Sequence, residues 1–107
     1  MKNAIGQLMQ QAQRMQENVQ KAQEELAMTE VVGESGGGLV RLVMNGRKEA
    51  LKIDVDPSLL GEDRDMLEDL VVAAINDAVR RADKLKEEKM AGLTSGIPLP
   101  AGFKMPF

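Results

Sequence analysis

The sequence has no cysteine, no histidine, no tryptophan and no tyrosine among its 107 residues. Without cysteine there is no disulfide, no thiolate nucleophile and no zinc–thiolate site. Without histidine the commonest general base and the commonest metal ligand are gone as well. Ser35, Ser58 and Ser95 therefore have no His or Cys partner, and nucleophilic catalysis has no supporting residues. The sequence predicts a protein that is not an enzyme, with no cofactor, no metal and no small-molecule substrate. Long hydrophobic runs are missing too: none approaches the roughly 20 residues needed to span a bilayer. The N-terminus has no signal-peptide h-region, so a cytoplasmic protein without a membrane partner is expected.

Only two Phe supply aromatic bulk, so Ala, Leu, Val and eight Met must fill the interior. A chain of this length makes one small domain with a modest core. Part of that core is expected to lie between subunits.

The formal net charge is -3 and the pI about 5.0, which by itself argues against a strong polyanion binder. The distribution is uneven, however. Segments 1–38, 39–53, 54–77 and 78–107 carry net charges of -2, +3, -7 and +3. The two positive blocks can form a patch if the fold brings them together.

The first 28 residues place Met1, Ile5, Leu8, Ala12, Met15, Val19, Ala22 and Leu26 at alternating steps of four and three. That is a heptad seam on a helix, with Gln filling much of the remainder. At about 1.5 Å per residue this helix is about 40 Å long, more than a lone domain of this size covers. Strands are predicted over 29–34, 39–44 and 49–55. Ser35-Gly36-Gly37-Gly38 breaks the first from the second. No Gly-Lys-Ser/Thr follows it to open a helix, so it reads as a hairpin loop and not as a phosphate cradle. Asn45-Gly46 reads as the second hairpin turn, since both positions tolerate positive φ. Val40, Leu42 and Met44, with Leu51, Ile53 and Val55, give the sheet one apolar face. Ser58-Leu59-Leu60 is a short helical turn.

A second helix is predicted over 64–91. Leu67, Leu70, Val71, Ala74, Ala78, Ala82 and Leu85 mark its buried side, and it is the natural cover for the sheet. Residues 94–107 hold Pro98, Pro100 and Pro106 with both Phe. They form an apolar Pro/Gly-rich tail outside the single α+β domain of residues 1–93.

Acids at Asp54, Asp56, Glu62, Asp63, Asp65, Glu68 and Asp69 suit a helix N-terminus and show no cation-loop spacing. Arg80, Arg81 and Lys84 are the main functional candidates, because like charges at i,i+3 and i,i+4 oppose one another. The competing account is a solvated face screened by Asp77, Asp83, Glu87 and Glu88. The near-absence of aromatics disfavours base stacking on single strands and leaves duplex contacts through phosphate.

The ordered set Ser35-Gly36-Gly37-Gly38-Leu39-Val40, Asn45-Gly46, Ile53-Asp54-Val55-Asp56-Pro57, Leu67-Glu68-Asp69-Leu70 and Ala73-Ala74-Ile75-Asn76-Asp77-Ala78 resembles the YbaB/EbfC family of bacterial nucleoid-associated proteins. The resemblance implies an intertwined cytoplasmic homodimer at the nucleoid, with helices projecting from a shared body like tweezers. It also implies binding of double-stranded DNA with limited sequence preference. On that footing Arg80, Arg81 and Lys84 are candidate phosphate contacts, followed by Arg14 and Lys21 on the first helix, with Arg47 and Lys48 at the hairpin tip last. The alternative is a structural or adaptor dimer that holds a protein partner through its helical seam and its tail.

Overall fold

A computed structural model describes residues 2–61 and 63–94. Helix α1 (Lys2–Met28) leads into strands β1 (Glu30–Ser35), β2 (Val40–Asn45) and β3 (Ala50–Val55). A 3-10 turn at Pro57–Leu59 then connects to helix α2 (Arg64–Thr94). The sheet is an antiparallel meander in the order β1-β2-β3. The chain is thus α+β in the predicted order of elements. Helix α2 continues through Gly92 to Thr94, past the end expected from the sequence. The tail expected over 94–107 lies outside the described residues from position 95 on.

The core is thin because it is built from small residues. Ala74, Ala78 and Ala82 repeat every four positions on α2 and are fully buried. They let the helix lie close against β1, where Gly33 faces them. A Cβ built on Gly33 would fall 2.3 Å from the Ala74 carbonyl oxygen and 2.6 Å from the Ala78 Cβ. Val40, Leu42, Met44 and Leu59 complete this cluster. Polar ties reinforce it: the Ser35 hydroxyl donates to the Leu70 carbonyl at 2.6 Å. At the helix start, the Asp63 carboxylate accepts from the Met66 N–H at 3.1 Å, as a capping acid does.

Helix α2 covers β1 and β2 but stops short of β3. Ile53 stands opposite buried Leu42 in the register, so it shares the helix side of the sheet. Even so, Ile53 is 45% and Leu51 54% exposed. The cover predicted for the sheet is therefore incomplete along its third strand.

The two turns differ in kind. The β1–β2 loop places Gly36, Gly37 and Gly38 consecutively at positive φ, which residues with a Cβ rarely adopt. In the β2–β3 loop Asn45 and Gly46 are not the positive-φ turn positions expected of them. The loop runs through residues 46–49, and its left-handed residue is Lys48, at φ 65°. A register shift between Val43 and Met44 accompanies it. Buried Asn45 holds the loop together, accepting at Oδ1 from the N–H groups of Arg47 and Glu49 at 3.0 Å each. Gly46 is needed for closeness: its N–H donates to the Leu26 carbonyl at 2.8 Å, and a Cβ there would sit 2.8 Å from that same oxygen.

Among the described residues, the burial of α1 is concentrated in its last part. Ala22 and Leu26 are buried with Met90 of α2, and Leu85 and Leu93 pack beside them. The Lys89 ammonium pairs with Glu25 across the two helices. Residues 3–14 are exposed throughout, including the seam positions Ile5 and Leu8. The radius of gyration is 19.8 Å, against about 13 Å for a compact domain of this length.

Candidate functional site

The middle of α2 carries the first three predicted residues exposed and within one helical turn, and two of them, Arg80 and Arg81, gather around a single acid. Asp77, on the helix flank, is 22% exposed at its side chain. Its Oδ2 accepts from the backbone N–H of Glu34 in β1 at 2.9 Å and from Arg81 Nε at 3.0 Å. Its Oδ1 lies 3.6 Å from Arg80 Nη2. The Glu34 N–H bond first, then the Arg81 hydrogen bond and the two guanidinium charges, holds the Asp77 carboxyl below the usual aspartate range. Asp77 thus screens both arginines, as the competing account of the cluster requires, but also ties α2 to the sheet. Lys84 is exposed and forms no salt bridge among the described residues. Asp83 does not screen it: its carboxylate pairs with Lys48 of the β2–β3 loop.

Arg14 and Lys21 stand apart from this cluster on α1. They are seven residues apart, so they share one face of that helix, and both are exposed. Lys21 adds a minor attraction to Glu25, whose carboxyl is lowered mainly by its hydrogen bond and ion pair with Lys89. The structure therefore brings Arg80, Arg81 and Lys84 together and leaves Arg14 and Lys21 as a separate pair.

The two positive sequence blocks do meet, at a place sequence reasoning ranked last. The β2–β3 loop carries Arg47 and Lys48 against the side of α2, and the Lys48–Asp83 pair moors it there. The uneven charge pattern was the available signal for this meeting. No group of three or more His, Cys, Asp or Glu able to hold a metal ion occurs among the described residues. No helix among them is long and apolar enough to cross a membrane.

Exposed cations on the sheet-covering part of α2 and along α1, with no metal-holding acid group among the described residues, suit a polyanion better than a small molecule. Comparison with known proteins agrees. The model of the YbaB/EbfC DNA-binding family matches residues 1–97. A relative named nucleoid-associated protein MCA1327, from Methylococcus capsulatus, is 60% identical over 107 residues, covering 100% of both chains. Among solved structures, the uncharacterized protein HP0035 from Helicobacter pylori superposes with a TM-score of 0.75 at 24% identity, over 84% of this chain and 96% of that one. At that identity the likeness speaks to the fold alone.

Proposed function

The chain belongs to the YbaB/EbfC DNA-binding family and is a nucleoid-associated DNA-binding protein; we propose that it acts as a homodimer gripping duplex DNA mainly through phosphate. It works in the bacterial cytoplasm at the nucleoid, as a binding protein and not as an enzyme. Arg80, Arg81 and Lys84 are its principal phosphate contacts, with Arg14 and Lys21 adding to them along α1. Their exposure on α2 is the observation that carries the residue assignment. The pairing of both arginines with Asp77 does not stand against it. Solvent-screened ion pairs contribute little to stability, so a phosphate can take the place of the carboxylate at little cost.

Dimerisation is supported by what one copy leaves uncovered. Leu51 and Ile53 of β3 and Val72 and Ile75 of α2 are large apolar side chains facing solvent. A second copy of this chain is the occupant that gives them a partner and leaves the α1 ends projecting.

Duplex binding measured at rising salt tests the reading. With phosphate contacts dominant, log affinity falls linearly with log salt, by roughly 0.9 per contact. The combined variant Arg80→Ala, Arg81→Ala, Lys84→Ala should lose about 2.7 of that slope per protomer. Equal slopes for variant and wild type would clear these residues of the role. Absence of duplex affinity at physiological salt would favour the adaptor dimer.

A further inference from the structure

A cleft of about 270 Å³ opens between the end of α1, the β2–β3 loop and α2. Arg47, Lys48 and Lys86 line it, with Gln23, Leu26 and Gly46, and no carboxylate among the described residues does. The three cations come from two elements distant in sequence, and the loop that carries two of them is fixed. Asn45 accepts from the Arg47 N–H, Gly46 is pressed onto Leu26, and Lys48 is paired with Asp83. Glu49, the acid within the loop, is turned to the Asn45 amide at 2.9 Å. Arg47 and Lys86 form no salt bridge among the described residues, and Lys86 is half-buried. A concave wall lined by one sign of charge concentrates anions more strongly than an exposed lysine does.

We propose that this notch is a further phosphate site that receives a backbone phosphate of duplex DNA, a proposal that rests on the DNA-binding reading above. Arg47 and Lys86 make the contacts, and Lys48 holds the loop in place. The notch does not duplicate the Arg80–Lys84 cluster. At about 3.6 residues per turn, Lys86 points roughly 160° away from Lys84 around α2. It extends the contact surface to a second side of the helix, beside the hairpin.

The test is anisotropy of a labelled duplex on the full-length protein between 50 and 200 mM KCl. Arg47→Gln/Lys86→Gln should lower the log–log slope by about 1.8 per protomer and weaken binding at least tenfold at the lower salt. Its thermal melting should stay at the wild-type value, because neither side chain forms a salt bridge. Lys52→Gln, which removes one cation from β3 outside the notch, should leave the slope unchanged. A wild-type slope in the double variant, or an equal loss per charge in Lys52→Gln, would overturn the notch while the DNA reading stands. No duplex binding by wild type would sink both. Inorganic phosphate at constant ionic strength should displace duplex only weakly. Occupancy of the notch by free phosphate, with duplex binding indifferent to it, would also overturn the proposal.

Discussion

The Asp77 carboxylate on α2 accepts the backbone N–H of Glu34 on β1 at 2.9 Å. One acid therefore performs two tasks, docking helix to sheet and holding two arginines in check. Its pKa is lowered by the Glu34 bond first and by the arginines second. A depressed carboxyl stabilises the fold above its unfolded pKa, and that contribution disappears as pH falls through the folded value. Asp77→Asn keeps an oxygen acceptor for Glu34 but loses the charge. Urea midpoints should show the wild type more stable than the variant at pH 6. The gap should close below pH 3.8, the ordinary aspartate value. A gap that persists unchanged at pH 3 would remove the charge from the account.

Gly33 offers a sharper test of how closely α2 lies on the sheet. Its Cβ position is 2.4 Å from the Ala78 backbone nitrogen, so relief requires moving a helix and not a side chain. Overpacking in a core costs about 1–3 kcal/mol, and Gly33→Ala should reach at least the top of that range in urea unfolding. Gly6, on the exposed half of α1 with nothing within 4 Å of a Cβ, should respond oppositely. Gly6→Ala should stabilise the helix by about 0.5–1 kcal/mol. Equal effects at the two positions would contradict the close approach.

These two glycines mark where the sequence is readable and where it is not. The seam on α1, the alternating strands and the Ala-rich side of α2 are periodic, so each announces its apolar face locally, although among the described seam residues only Ala22 and Leu26 are buried within one chain. Gly33 carries no local signal, because its reason is Ala74 and Ala78, more than forty residues away in the chain. Asn45-Gly46 misleads for the same cause: the dipeptide suggests a tight turn, whereas Gly46 answers to Leu26 on another element. In the candidate site, Asp77 is visibly placed to screen Arg80 and Arg81 at helical spacing. Its bond to Glu34 and the capture of Asp83 by Lys48 depend on the fold and left no trace in spacing.

The uncovered apolar face predicts a second copy that can be removed. Burying a large apolar side chain is worth about 1.5–3 kcal/mol, and each 1.4 kcal/mol or so is tenfold in affinity. Val72→Glu/Ile75→Glu should therefore raise the dimer dissociation constant at least a hundredfold. Light scattering across a dilution series reads this directly. Both side chains are exposed in the single chain, so circular dichroism should show its helices retained. A dimer of undiminished strength would place the interface elsewhere, and a monomeric wild type would remove it.

Competition for Asp77 predicts an order among the cations proposed to contact DNA. Lys84 has no carboxylate partner to leave among the described residues, whereas Arg80 and Arg81 must exchange Asp77 for phosphate. Lys84→Ala should consequently weaken duplex binding more than Arg80→Ala, although the arginine is the better phosphate ligand in free geometry. Asp77→Asn should act in the opposite direction. It releases both guanidinium groups and subtracts a negative charge beside the duplex, so affinity at 50 mM salt should rise several-fold. The gain should shrink towards 200 mM, where screening weakens the field of the lost carboxylate. Should Asp77→Asn weaken binding while circular dichroism shows it fully folded at the assay temperature, Asp77 is orienting the arginines for phosphate and not withholding them.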